Sequence, residues 1–153
     1  MNSETAIFMS YQKQTTSSSC NSTYPSDFYF HNQIYKLKFL LNFPIGNFST
    51  TPPIIAFYPD RNLAQGFDNI YFFNAYLHNS GSHIEISNLS LTKKIEDNGS
   101  DYHLSSLFQE TLLKVRHYIL KQNHAANMPR LLLLDDANHI LMIFEPDTFN
   151  FSL

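Results

Sequence analysis

The last third of the chain constrains the fold most, because a helical apolar pattern is followed there by two short apolar runs. Between residues 101 and 122, apolar side chains recur every three or four positions, which is typical of a helix with one buried face. These side chains are Leu104, Leu107, Phe108, Leu112, Val115 and Ile119. Pro129 interrupts the pattern, and residues 131–134 and 140–144 follow as apolar runs of strand length. The sequence therefore predicts one long helix, burying Leu104, Phe108, Val115 and Ile119, and a closing hairpin.

The middle of the chain predicts four strands. Residues 35–43 alternate apolar and polar side chains, and residues 54–58 form a short apolar run that Pro59 ends. Residues 60–69 carry Asp, Asn and Gly and are expected to form a loop. Residues 70–78 and 84–91 are predicted to form a hairpin around a four-residue turn at 79–82. The apolar pattern slips between Ile86 and Leu89, so we expect a bulge near Asn88.

These elements together predict an α+β domain. Its mostly antiparallel sheet of five to six strands is covered on one face by one long helix, in the order ββββ-α-ββ. A short helix can form within residues 3–12, and the Ser/Thr-rich stretch after it has no periodicity. We therefore expect residues 1–25 to be a short helix and flexible arm, and residues 26–153 to be a single domain.

Charge and cysteine content limit the classes of function and the compartment. A formal net charge of −3, with only 10 Lys and Arg residues, disfavours nucleic acid as a partner because phosphate binding needs a clustered basic face. Cys20 is the only cysteine, so no disulfide can form within the chain. No window approaches the run of about 18 apolar residues that a membrane-spanning helix needs. Without a recognisable signal peptide, the expected location is the cytoplasm, away from membranes.

Two histidines form the first candidate polar site. His78 and His83 flank the predicted turn and are expected to be cross-strand neighbours, close enough to bind a metal ion or to act as a pH-sensitive pair. No third ligand is evident, so no metal site is predicted. His103, His117 and His124 can share one side of the predicted helix, but ligands two turns apart are about 10 Å from each other along the axis. They are therefore expected to form an ordinary polar face.

Asp135 and Asp136 follow the first apolar run of the closing hairpin and lie near His139. Carboxylates at a strand end can serve an active site, but Asp and Asn also favour turns for backbone reasons alone, and a turn is the favoured interpretation. The chain has no glycine-rich phosphate loop and no hydrolase or metalloprotease motif. No catalytic residue and no cofactor are therefore predicted.

The C-terminal residues alternate apolar and polar side chains, with Phe149, Phe151 and Leu153 on one face. This is typical of an edge strand. Such a strand can pair with its own sheet, with a second copy or with a target, so these three residues are candidate partner-binding residues.

The absence of catalytic motifs and the 14 Phe and 9 Tyr residues favour a small non-enzymatic protein-binding module of the inhibitor, immunity, antagonist or chaperone type. Such a module sequesters or blocks another protein, and a second copy of the chain is an alternative partner. The alternative is a small enzyme or ligand-binding domain with an aromatic-lined pocket between helix and sheet. The polar groups of that pocket would be His78, His83, Asp135, Asp136 and His139.

Overall fold

The computed structural model describes residues 33–46, 51–97, 99–123 and 128–147. In these ranges the chain forms nine strands, one α-helix and a short 3-10 turn at Pro59–Arg61. In chain order the elements are β1 (Ile34–Leu40), β2 (Phe43–Pro44), β3 (Ile54–Tyr58), β4 (Leu63–Phe67), β5 (Tyr71–Ser80), β6 (His83–Lys94), α1 (Tyr102–Leu112), β7 (His117–Asn123), β8 (Met128–Leu134) and β9 (Ile140–Pro146). No helix in the described ranges is long and apolar enough to cross a membrane.

The nine strands form one antiparallel sheet that closes on itself. From β3 to β9, each strand pairs with the next along the chain. β1 pairs with β9 along one edge, where Leu37 lies opposite Phe144 and Leu40 opposite Met142. The other edge of β1 carries β3 near its start and β2 at its end. Because β1 holds both β3 and β9, the inner face of the sheet is enclosed.

Aromatic and aliphatic side chains from most elements fill the inside of the closed sheet. Five large rings are completely or almost completely buried, namely Tyr35, Phe57, Phe73, Phe108 and Phe144. The ring centroids of Phe73 on β5 and Phe108 on α1 lie 6.0 Å apart, so the helix contributes directly to this core. Removing this much apolar surface from water is the main force that stabilises the fold.

The predicted fold class is wrong. The described residues are 58% strand with a single helix, and this is not a sheet of five to six strands covered by one long helix. Six strands precede α1 and three follow it, so the order ββββ-α-ββ is also wrong. Part of the difference is β4, which occupies the segment that the sequence predicted to be a loop. The larger part of the difference is the length of the helix, which is shorter than predicted.

The helix α1 ends at Leu112, ten residues earlier than the sequence predicted. Residues 117–123 pair with β8 along their whole length instead. In this strand Tyr118 is buried on the inner face, whereas Ile119 points outward and is 41% exposed. The predicted burial of Ile119 is therefore wrong. Leu104, Phe108 and Val115 are buried as expected, although Val115 lies in the connection after the helix.

The β5–β6 hairpin was predicted, but its turn has two residues rather than four. Gly81 and Ser82 form the turn, and Gly81 has a φ of +60°, a conformation that glycine adopts without strain. The bulge expected near Asn88 is confirmed. Two steps along β5 correspond to three along β6 between residues 87 and 90, and Asn88 has a φ of +52°.

Several predictions lie outside the described residues. These are the helix within residues 3–12, the flexible arm up to residue 25, the lone Cys20 and the strand-like tail with Phe149, Phe151 and Leu153. The division of the chain at residue 25 therefore stays a prediction.

Candidate functional site

Strands β6 and β7 meet at one residue pair, which we call the β6–β7 seam. His83 lies opposite His117, and two backbone hydrogen bonds flank the pair. The N–H of Ile84 donates to the carbonyl of Arg116, and the N–H of Tyr118 donates to the carbonyl of Ser82, both at 2.9 Å. His83 and His117 are the first residues of β6 and β7, and the two strands extend from this pair in opposite directions. Their remaining residues therefore do not lie beside each other. The sheet is closed between β6 and β7 by this contact alone among the strand pairings of the described residues.

The consequence is a free strand edge on β6. Beyond the seam, β6 pairs with β5 on one side, and no other strand of the described ranges lies on its opposite side. Residues 88–94, which we call the β6 edge, are exposed except for the half-buried Leu89. An edge of this kind presents backbone N–H and C=O groups that can pair with another extended chain.

Half-exposed apolar side chains surround the β6 edge. Leu91 lies opposite Phe73 and therefore on the inner face, yet it is 43% exposed. The next apolar residues, Ile95 after the strand and Tyr102 at the start of α1, are also exposed. On the outer face of β5, the exposed ring of Phe72 packs on Phe67 with their centroids 5.0 Å apart. The edge therefore combines free backbone groups with an apolar border.

Two lysines at the end of the edge provide positive charge. Lys93 and Lys94 are both exposed, and Nζ of Lys94 lies 5.2 Å from the centroid of the Tyr102 ring. Hydrogen bonding to Tyr102 and the charge of Glu96 raise the pKa of Lys94 above its ordinary value. Charged side chains and bulges on an edge strand limit non-specific pairing between sheets. The β6 edge has both features.

The seam itself contains a cluster of titratable side chains. The rings of His83 and His117 are 5.4 Å apart and nearly perpendicular, and His83 Nε2 lies 3.5 Å from Glu85 Oε2. Burial lowers the pKa of His117, and the neighbouring His83 lowers it further. Asp136 and Asp135 oppose this shift through their negative charge.

The structure separates His78 from His83, whereas His83, Asp135 and Asp136 all lie within electrostatic reach of His117. His78 lies opposite Glu85, and His83 lies opposite Ser80, because the two-residue turn sets a different register from the predicted one. His78 and His83 are therefore not directly opposite each other. The cross-strand partner of His83 is His117, which the sequence pattern assigned to a helix. The short apolar run of residues 118–120, with its aromatic and β-branched side chains, is the signal that indicates a strand there.

Asp135 holds the turn between β8 and β9, as the favoured interpretation predicted. Its Oδ1 accepts hydrogen bonds of 2.9 Å from the backbone N–H groups of Ala137 and His139, and its Oδ2 lies 3.2 Å from His139 Nδ1. The hydrogen bonds from His139 and Ala137 lower the pKa of Asp135. Asp136 is exposed beside it.

Two further features bear on ligand binding. In the part of the chain that the structure describes, no three His, Cys, Asp or Glu side chains converge as a metal site would require. An open groove of about 260 Å³ lies on β1, β8 and β9, lined by Phe39, Asn42, Arg130 and residues 140–143. Arg130 at this groove is paired with Glu145 at 3.0 Å. The groove is not the predicted pocket between helix and sheet.

Comparison with known proteins gives the fold but not the function. The chain resembles a protein from Burkholderia xenovorans whose structure was determined by NMR, with a TM-score of 0.55 and 10% sequence identity. The similarity covers 90% of this chain and 99% of that protein. No family model matches the chain, and no curated protein matches it. At this identity the likeness supports the overall architecture alone.

Proposed function

We propose that the protein is a small protein-binding module and that an extended segment of its partner pairs with the β6 edge. The partner adds a strand beside residues 88–94, and its apolar side chains contact Leu91 and Tyr102. By occupying that segment, the protein sequesters or blocks its partner, as inhibitors, immunity proteins, antagonists and chaperones do. We place this activity in the cytoplasm, because a chain with a single cysteine forms no internal disulfide and so suits a reducing compartment.

The observation that carries the proposal is the exposed edge of β6, beside which no strand of the described ranges lies. Backbone hydrogen bonds along an edge supply affinity for any extended chain, and pockets for alternate side chains supply specificity. The half-exposed Leu91 lies on the edge itself and is the anchor that the proposal assigns. The tail residues Phe149, Phe151 and Leu153 stay a second, predicted surface for the same function.

The alternative of an enzyme or ligand-binding domain requires a pocket between helix and sheet. Described side chains fill that space, since Phe108 of α1 is fully buried and packs on Phe73. The five polar residues assigned to this pocket are not gathered there. His83 lies at the seam, while Asp135 and His139 hold a turn. These observations favour the binding module over the pocket.

The test is affinity purification from the native host with three forms of the full chain. Leu91→Lys places a charge on the β6 edge, and its long apolar stem lets the charged end reach water, so the fold should tolerate it. Phe43→Lys is the matched control, because Phe43 is 62% exposed on β2. We expect a protein that the wild type and Phe43→Lys retain equally and that Leu91→Lys retains at least tenfold less, with all three forms melting alike.

Equal retention by Leu91→Lys would contradict binding at the β6 edge. A fourth form that lacks residues 149–153 separates the tail from the edge, and loss of retention in that form alone would move the binding surface to the tail. Sedimentation of the purified forms measures whether the protein is a homodimer. A wild-type dimer that Leu91→Lys dissociates would make a second copy the occupant of the edge and would contradict a different partner.

A further inference from the structure

We propose that the β6–β7 seam is a pH-sensitive closure, shut when His83 and His117 are neutral and opened when both carry a proton. This property is independent of the proposed binding function, because it concerns how the sheet is held shut. It depends on the position of the two histidines at the one residue pair that joins β6 to β7.

The seam is weak by construction. Every other neighbouring pair of strands in the closed sheet is joined by at least two residue pairs, whereas β6 and β7 share the pair His83–His117 alone. Among the described residues, the backbone hydrogen bonds that cross it are those from the N–H groups of Ile84 and Tyr118. A change at one side-chain pair can therefore open this junction without disturbing other strand pairs.

The geometry of the pair makes it sensitive to charge. His83 and His117 form the pair type in which the flanking residues make the backbone hydrogen bonds, and this type brings side chains closest together. Their ring centroids are 5.4 Å apart. Two imidazolium ions at this separation repel each other, and like charges directly opposite each other destabilise a strand pair.

Other charged groups near the seam modify this repulsion. Glu85 lies 3.5 Å from His83 and partly offsets its charge, but it is about half exposed and so is screened by water. The negative charges of Asp135 and Asp136, in the turn after β8, attract a proton to His117. Asp135 also accepts a hydrogen bond from the backbone N–H of His139. Further charged or titratable groups near the seam include His78 opposite Glu85, and Arg116 and Tyr118 beside His117.

The direction of the pH effect follows from His117. Its pKa in the folded protein lies below the ordinary value of 6.5, mainly because burial disfavours the charged ring. An unfolded or open chain therefore binds a proton more readily than the closed one. The stability that His117 lends to the closed state is complete above about pH 6.5 and is lost as the pH falls below that value.

Hydrogen exchange followed by NMR tests the proposal with the full chain in buffer containing EDTA. Protection factors, which correct for the intrinsic pH dependence of exchange, are measured for the Ile84 and Tyr118 amides at pH 7.5 and 5.5. We expect both factors to fall severalfold in the wild type, up to about tenfold, while amides in β8 keep theirs. His117→Gln, which cannot be protonated, should remove this pH dependence, and His78→Gln should leave it unchanged.

Protection of the Ile84 and Tyr118 amides that is independent of pH in the wild type would overturn the proposal. So would a pH dependence that persists in His117→Gln. Should His117→Gln fail to fold, the wild type and His78→Gln still decide the matter, because the imidazole C–H signals of His117 give its titration midpoint. Loss of protection must begin near pH 6.5 and level off at pH values below that midpoint. Loss that follows a carboxylate titration instead would contradict the histidine mechanism.

Discussion

At the scale of single residues, Gly66 shows how closely the strands approach inside the closed sheet. It lies opposite Phe73 of β5 and opposite Ile55 of β3. A Cβ atom at this position would overlap the backbone oxygen of Ile54 and would lie 2.7 Å from the Phe73 ring. The absence of a side chain at Gly66 is therefore what lets the ring of Phe73 enter the core.

We expect Gly66→Ala to lower the free energy of unfolding by about 1–3 kcal/mol, because backbone and a packed ring must both shift. Gly46→Ala is the control, since a Cβ there has no atom within 4 Å and Gly46 is exposed. It should change the free energy by less than about 0.5 kcal/mol. Urea unfolding of the two variants measures both values, and equal stabilities would show that β3, β4 and β5 do not approach as described.

At the scale of elements, α1 is a short helix held at its start and along its inner face. Asp101 caps it by accepting hydrogen bonds from the N–H groups of His103 and Leu104 at 2.9 and 3.1 Å. The N–H of Asp101 donates to Asn69 Oδ1 at 2.6 Å, which ties the helix start to the β4–β5 turn. Gln109 adds a second tie by donating to Asp68 Oδ2, also at 2.6 Å.

The buried face of α1 gives a prediction at this scale. Phe108 is fully buried, so Phe108→Ala should lower the free energy of unfolding by about 3–5 kcal/mol by leaving a cavity beside Phe73. Leu113→Ala, at a residue that is 40% exposed just after the helix, should cost much less. Thermal and urea unfolding of both variants check this, and a Phe108→Ala protein that melts like wild type would place the helix outside the core.

Elements with one unambiguous period could be predicted from the sequence, and those with two could not. The first strand, the β5–β6 hairpin, the bulge near Asn88 and the buried Phe108 all follow from local patterns. Residues 118–120 form a short apolar run that fits a strand as well as the end of the predicted helix, and pairing with β8 makes them a strand. That ambiguity also concealed His117, so half of the seam was assigned to the wrong element.

At the scale of the whole molecule, closure of the sheet depends on contacts that no local pattern contains. β1 pairs with β9 across more than a hundred residues of chain, and the sequence gives no indication of that pairing. The free edge of β6 has the same origin, because it exists only where β7 separates from β6 after one pair. A candidate binding surface of this kind becomes visible only in three dimensions.

Because every described strand lies after residue 33, we expect a chain that lacks residues 1–25 to fold. It should unfold in a single cooperative transition with a midpoint within a few degrees of the full chain, since the removed residues precede the core described here. Circular dichroism and calorimetry of the two chains make the comparison. Loss of folding on truncation would show that the N-terminal residues belong to the core.

The central claim is that the β6 edge receives a strand from a partner, and amide hydrogen exchange of the complex with the retained protein tests it most directly. In the free protein the outward-facing amides of residues 88–94 should exchange rapidly, because no strand of the described chain lies beside them. In the complex these amides should slow at least tenfold, while exposed amides of β2 remain unchanged. Amides of residues 88–94 that exchange as fast in the complex as in the free protein would contradict strand addition at β6.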